Sequence, residues 1–395
     1  MTDPHGEHRT TEVYLDGRVG RRPEYPVSYD DLREAAEEVL SPDARAYVSG
    51  GAGREGTMSE NRRAFRRWRL VPRMLRDVAD RDLSVELFGG TLPLPFLLAP
   101  VGLQTLYDEE GEVATARAAA ALDVPMAVST VSSRPMEEVA DALGETTGWF
   151  QLYWSPDDGL TDSFLSRAEA AGYEAVVVTV DTGLSGWRER ELSRAALPFF
   201  RGHGTGNYVT DDRFRETIDG DPDDVDDAAR HLLDSFTDPG HHGGDFAALC
   251  DRTDLPVLVK GILHPDDAVR AVEAGADGVV VSNHGGRQVD GSIGALDALP
   301  AVADAVGDDV PVVFDSGVRN GADVLRALAL GADLVGLGRP YLYGLTLGGE
   351  EGVRAVLKNV RADLDLSLGL CGYAAAEDVG REAVVRSGEA PGRSG

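Results

Sequence analysis

The chain has 395 residues with 68 Asp and Glu against 38 Lys and Arg, a formal net charge of −30, which excludes a protein built to grip nucleic-acid phosphates or an anionic membrane surface. Its 42% of hydrophobic residues can fill one large α/β domain or two ordinary ones. Cys250 and Cys371 stand alone, in no C-x-x-C pair, which excludes disulfide scaffolds, zinc ribbons and thioredoxin-like chemistry; no metal site is expected. No apolar run reaches the roughly 18 residues of a membrane span, and the polar start has no secretory pattern, so a soluble cytoplasmic protein is expected.

In chain order, residues 1–70 carry helical patterns at 29–40 and 59–65, joined by Tyr47-Val-Ser-Gly-Gly-Ala-Gly, and read as an N-terminal helical segment packing on the main domain. Short apolar runs then recur at 95–100 (PFLLAP), 125–129 (PMAVS), 149–153 (WFQLY), 175–180 (AVVVTV), 256–260 (PVLVK), 278–282 (GVVVS), 311–315 (PVVFD) and 334–338 (LVGLG). Their apolar residues are contiguous, as in parallel strands covered on both faces. Amphipathic helical patterns lie between them at 112–122, 135–143, 163–171, 266–274, 295–306 and 322–330. Eight such units predict an α/β fold, a single (β/α)8 TIM barrel over residues 71–375, with a tail at 376–395. The rival doubly wound sheet needs a Gly-rich fingerprint after its first strand, and VGLQTLYDEEGE from Val101 lacks it. AGADGVVVS from Ala274 and LGADLVGLG from Leu330 repeat one helix-to-strand turn, as a barrel would. Between the fourth and fifth strands lies a long insertion, about 189–250, read as a lid or a partly disordered segment. Its acid run DPDDVDD at 221–227 reads as a solvated face.

Barrels gather chemistry at the carboxyl ends of their strands. Standing there are Gly102, Ser129, Gln151 with Tyr153, Thr179 with Asp181, Lys260, Ser282 with His284 and Arg287, Asp315, and Gly338 with Arg339. The turns Asp315-Ser-Gly-Val-Arg319 and Gly336-Leu-Gly-Arg339 combine glycines with an arginine near a helix start, which suits a phosphate: a flavin's, a phosphorylated metabolite's or a nucleotide's. In Ser282-Asn-His-Gly-Gly-Arg287 a proton acceptor stands beside a bidentate cation, and Asp181 can orient the imidazole. All bases but Lys260 and Lys358 are arginine. Many carboxylates with few lysines suit a salt-rich cytoplasm, so a halophilic protein is expected. Lys358 reads as a chance survivor on a helix; Lys260, at a strand end, does not.

These motifs, YVSGGAG at 47, LLAPVG at 97, WFQLY at 149, VTVDT at 178, SNHGGRQVDG at 282 and FDSGVRNGADVLRALALGADLVGLGRPYLYG at 314, resemble the FMN-dependent 2-hydroxy acid oxidising family over about residues 28–370. The resemblance implies His284 as active-site base with Asp181 its partner, and Arg188, Arg287 and Tyr47 on the substrate carboxylate. Tyr153 would sit on the hydroxyl being oxidised. Pro100, Val101, Gly102, Ser129, Gln151, Thr179, Lys260 and Ser282 would line the FMN ring, with Asp315, Gly317, Arg319, Gly338 and Arg339 on its ribityl chain and phosphate. Lys260 would stabilise negative charge at the N1–C2 edge of the ring.

Val131 stands where plant glycolate oxidases have tryptophan, Gly183 where many members have proline, and Ser316 where many have glycine. Gly102 stands where oxidases and dehydrogenases usually have alanine and lactate monooxygenases glycine, which makes lactate 2-monooxygenase the nearest resemblance. The expected activity is oxidation of an L-2-hydroxy acid, lactate foremost, with oxygen as acceptor and acetate, CO2 and water as products. The alternatives are an oxidase or dehydrogenase that releases the keto acid, and a flavin-binding non-enzyme. A nucleotide-oxidising barrel would need a cysteine between Gly285 and Val310, where there is none; a Schiff-base aldolase using Lys260 would leave His284 and the arginines without joint purpose. A homo-oligomer, tetramer or octamer, is implied by the resemblance, and the space beside Gly102 is expected to open onto the flavin face.

Overall fold

The computed structural model describes residues 5–307 and 309–390. Eight parallel strands close into a barrel in chain order: β1 (Phe96–Leu98), β2 (Met126–Ser129), β3 (Gly148–Tyr153), β4 (Ala175–Thr179), β5 (Val257–Ile262), β6 (Gly278–Val281), β7 (Val312–Phe314) and β8 (Leu334–Leu337). Every expected run becomes a strand, and β8 closes on β1 with Leu337 opposite Leu98. Except for Gly261 in β5, every strand residue is buried. This is why the runs carry no polar alternation. The chain is therefore a (β/α)8 barrel.

All six expected helices are present. The one expected at 163–171 begins earlier, at Asp158, because the Asp157 carboxylate accepts the Gly159 and Leu160 N–H groups. A last helix, Arg339–Leu370, kinks at Gly348 and Gly349 and packs against the first barrel helix, Glu112–Ala120. Before the barrel come helices His5–Arg18, Tyr29–Val39, Pro42–Ser49 and Gly56–Arg67. Tyr47, expected in a linker, lies in the third: Ser41 caps its start and Pro42 is preset for the first turn. The hairpin Val85–Leu87 and Gly90–Leu92 packs beneath the barrel, where Phe88 meets Trp149 at the start of β3. Trp68–Leu70 pairs antiparallel with Val384–Arg386 from the far end of the described chain.

Residues 189–250 are ordered as short helices, among them Glu189–Arg194, Asp212–Thr217, Val225–Ser235 and Gly243–Cys250. Asn207 fastens them to the barrel: its amide donates to the carbonyls of Ser129 and Thr130 and its oxygen accepts the Met136 N–H. Tyr208, Phe214 and Leu232 of the same segment are buried. Within the acid run, Asp224 caps helix Val225–Ser235 by accepting the Asp226 and Asp227 N–H groups.

Candidate active site

The carboxyl ends of the strands surround a cleft. Its wall includes Tyr47, Pro100, Val101, Gly102, Gln151, Tyr153, Thr179, Lys260, His284, Arg287, Asp315, Gly317, Arg319, Gly338 and Arg339. Ser129, Asp181, Arg188 and Ser282 stand just behind it and act on that wall through hydrogen bonds.

Past β6 the backbone takes three successive left-handed residues, His284 (φ 56°), Gly285 (φ 64°) and Gly286 (φ 77°). For His284 this conformation is strained by about 1 kcal/mol. Hydrogen bonds offset it: Ser282 Oγ accepts the His284 N–H at 3.0 Å, Ser316 Oγ that of Gly285 at 3.0 Å, and Asn283 Oδ1 that of Gly286 at 3.1 Å. The turn delivers His284 Nδ1 to Asp181 Oδ1 at 2.9 Å. Donation to a carboxylate makes Nδ1 the protonated nitrogen and leaves the Nε2 lone pair free. Burial pushes the imidazole below its usual range, the Asp181 charge pulls it back up in part, and Lys260 adds to the lowering. Burial opposes ionisation of Asp181 as well, but Lys260, His284 and Arg188 hold its carboxyl below the ordinary value. The pair is a neutral base with a charged orienter.

Arg287 donates through Nη1 to the carbonyls of Tyr47 (2.6 Å) and Gly50 (3.1 Å), and its guanidinium lies over the Tyr47 ring, 4.6 Å from the centroid. Arg188 donates to Arg287 O (3.2 Å) and Gln288 Oε1 (2.9 Å). Tyr153 packs on Phe236 of the insertion, centroids 4.4 Å apart. Burial raises its phenol well above the usual range, so it serves as a hydrogen-bonding group and not as an acid.

Across the floor a directed relay runs between strands: Ser129 Oγ donates to Gln151 Oε1 at 2.9 Å and Gln151 Nε2 to Thr179 Oγ1 at 3.0 Å, which fixes the orientation of the amide. Lys260 is buried with its ammonium 3.8 Å from Asp315 Oδ2, and Ser282 Oγ donates to Asp315 Oδ1 at 2.5 Å. At the far end, Arg339 is held by the carbonyls of Val48 and Gly50 at 2.7 and 3.0 Å, and Arg319 lies over the Tyr29 ring with a buried, unpartnered Nε. Among the described residues neither has a carboxylate partner. Burial, with Arg319 nearby, pushes the Arg339 guanidinium down to about 10. Two neighbouring, partly buried cations without a carboxylate counter-ion form a site for an anion.

The expected open space beside Gly102 is absent. A Cβ there would lie 2.2 Å from Val131 O and 2.7 Å from Val131 Cγ2, so Gly102 is required by the approach of the neighbouring loop, whose Val131 carbonyl accepts the Leu103 N–H at 2.9 Å. Sequence reasoning also passed over Tyr107, which lines the cleft with a buried, unpartnered hydroxyl, and Glu191, which pairs with Arg287 at 2.9 Å. Tyr107 lies in a stretch read only for a missing glycine pattern; Glu191 sits in a charge-rich segment with no spacing to mark it.

A family model described as FMN-dependent dehydrogenase matches residues 36–386. The chain is 43% identical over 363 residues to an L-lactate oxidase of Lysinibacillus sphaericus, covering 92% of this chain and 94% of the relative. It is 44% identical over 381 residues to an FMN-dependent alpha-hydroxy acid dehydrogenase of Penicillium citrinum, covering 95% of each. The crystal structure of a refolded lactate oxidase of Pediococcus acidilactici superposes with a TM-score of 0.83 at 37% identity, covering 91% of this chain and 95% of that one. The chain belongs to the FMN-dependent dehydrogenase family.

Proposed function

We propose that this member of the FMN-dependent dehydrogenase family oxidises the hydroxyl of an L-2-hydroxy acid, L-lactate foremost, with oxygen as the final acceptor. The observation that carries the reading is the meeting of three features in one cleft. These are the His284–Asp181 pair at 2.9 Å, the Arg287 guanidinium on the same wall, and, at the far end, the two partly buried arginines that have no counter-ion among the described residues. The donor set fits FMN: Arg319 and Arg339 supply the charge that a phosphate requires, with Gly317 and Gly338 beside them, and Asp315 suits the hydroxyls of a ribityl chain. Pro100, Val101, Gly102, Gln151, Thr179 and Lys260 would line the ring, steadied from behind by Ser129 and Ser282. FMN bound there supplies a two-electron acceptor.

The protein's own groups do the rest. Arg287 and Arg188 hold the substrate carboxylate with Tyr47, and Tyr153 receives or gives a hydrogen bond at the hydroxyl. His284 Nε2 takes the proton released as the C–O single bond becomes a carbonyl, and Asp181 stabilises the imidazolium so formed. Lys260 would place a positive charge beside the bound ring, where it favours the reduced, more negative form. The finer outcome we propose is that of a lactate 2-monooxygenase, in which the keto acid stays bound while oxygen reacts, so that one lactate and one O2 give acetate, CO2 and water. The roof formed by the insertion supports retention: Phe236 covers Tyr153 and Asn207 ties the roof to the β2 turn. The relatives' names favour the oxidase outcome, and the Gly102 contact gives no support to either. We further propose a halophilic, cytoplasmic homo-oligomer, on the carboxylate surplus and the family resemblance; no helix among the described residues is long and apolar enough to cross a membrane.

Denaturation should release FMN, and anaerobic titration with L-lactate should bleach the flavin band. A protein that cannot be loaded with FMN, or whose flavin no hydroxy acid bleaches, overturns the proposal. Product analysis under air without catalase then separates the outcomes: acetate and CO2 for the monooxygenase, stoichiometric pyruvate and peroxide for the oxidase.

A further inference from the structure

Arg188 and Arg287 lie side by side with side chains only 18% and 12% exposed. Two adjacent, largely enclosed guanidinium groups repel, and burial together with Arg287 pushes Arg188 below its usual range. The terminal nitrogens not engaged by carbonyl or amide oxygens are Arg287 Nη2 and Arg188 Nη1. Glu191 has one oxygen near each: Oε1 lies 2.9 Å from Arg287 Nη2 and Oε2 lies 3.6 Å from Arg188 Nη1. Its side chain is 13% exposed. A carboxylate between two arginines is what the proposed function asks of the substrate.

Glu191 stands on helix Glu189–Arg194, the first element of the insertion. That helix is fastened to the N-terminal segment by Arg190 to Glu55 and Arg194 to Asp43, both at 2.6 Å. We propose that Glu191 is a built-in ligand of the carboxylate clamp, an internal competitor that an incoming hydroxy-acid carboxylate replaces on Arg287 and Arg188. The inference rests on the assignment of those arginines to the substrate carboxylate. The clamp of the ligand-free protein then carries one net positive charge instead of two, so it holds a carboxylate less tightly than two bare arginines would. Release of Glu191 also removes an inner attachment of helix Glu189–Arg194, whose other ion pairs are the two outer, half-exposed ones, which are weak.

The test is calorimetric binding of pyruvate to the FMN-loaded protein and to Glu191→Gln, with neutral lactamide as control. Loss of the competing charge should lower the pyruvate Kd about tenfold, the scale of one charged hydrogen bond, and leave lactamide binding unchanged. Hydrogen exchange at residues 189–194 of the unmodified protein should speed up when pyruvate is added, which tests the idea even if the variant folds poorly. Weaker or equal pyruvate binding by a folded variant, or slowed exchange in the parent, would show that Glu191 merely holds Arg287 in place and overturns the inference. Failure of the proposed chemistry looks different: a parent that binds no carboxylate at all refutes the clamp itself.

Discussion

Asp181→Asn tests the core of the site. The substitution keeps the shape of the side chain and an acceptor for His284 Nδ1–H, and places the amide nitrogen where Asp181 Oδ2 now lies buried without a partner. Only the charge is lost. The bond it weakens, at 2.9 Å, is a charged hydrogen bond worth about 1.5–3 kcal/mol, and the charge matters most once His284 carries the proton. At about 1.36 kcal/mol per decade the maximal rate of flavin reduction should fall roughly 10- to 150-fold. The pH profile carries a second signature. Burial already sets the acid limb of the parent, where His284 becomes protonated, below the ordinary histidine value of 6.5. Asp181 supplies the leading opposing influence, so its neutralisation should move the limb to still lower pH. Anaerobic stopped-flow reduction by L-lactate across pH 4.5–8 reads both quantities, those limits being about the range that histidine titration spans. A plateau within about twofold of the parent, or a limb displaced upward, would refute the role given to this pair.

Lys260→Met removes the cation 3.8 Å from buried Asp315. We expect weaker FMN retention, slower flavin reduction and weaker sulfite binding by the FMN-loaded protein, with a stability loss of about 3–5 kcal/mol from the stranded carboxylate; unchanged sulfite affinity would place the lysine's charge elsewhere. Gly102→Ala must displace Val131 or the 101–103 turn to relieve a 2.2 Å contact, at about 1–3 kcal/mol, and a denaturation midpoint equal to the parent's would contradict that. Thermal stability should rise from low ionic strength to molar KCl as a net charge of −30 is screened over about 3 Å at 1 M; a flat or falling midpoint would dismiss the halophilic reading.

The barrel was legible because a strand covered on both faces leaves a contiguous run of Val, Leu and Phe, and because chemistry in such a barrel collects just beyond those runs. That placed His284, Lys260 and Arg319 from position alone. What depends on through-space approach was not legible. Gly102 is glycine because the Val131 carbonyl comes within reach, a fact about a loop 29 residues away in sequence. Glu191 shows no periodicity that marks it, and it meets Arg287 only once the insertion has folded back. Helix His5–Arg18 buries only Gly6 and so offers no apolar stripe to read; it is fastened instead by polar contacts, Gly6 N–H to Asp365 and Arg9 to Asn359.

Asp315 Oδ1 accepts two hydroxyl hydrogen bonds, one from Ser282 and one from Ser316, and each hydroxyl oxygen in turn accepts a backbone N–H from the turn that bears His284. The two serines are parallel couplings between the floor and the base. Redundancy of this kind makes the site tolerant of single faults: removing either hydroxyl leaves the other path intact, and only the double loss uncouples the turn. It also explains why this chain can keep a serine at φ 85°, a backbone state that favours glycine. The strain at Ser316 supports a second brace, so replacement by glycine would relax the backbone and at the same time leave Ser282 as the one hydroxyl coupling Asp315 to the turn.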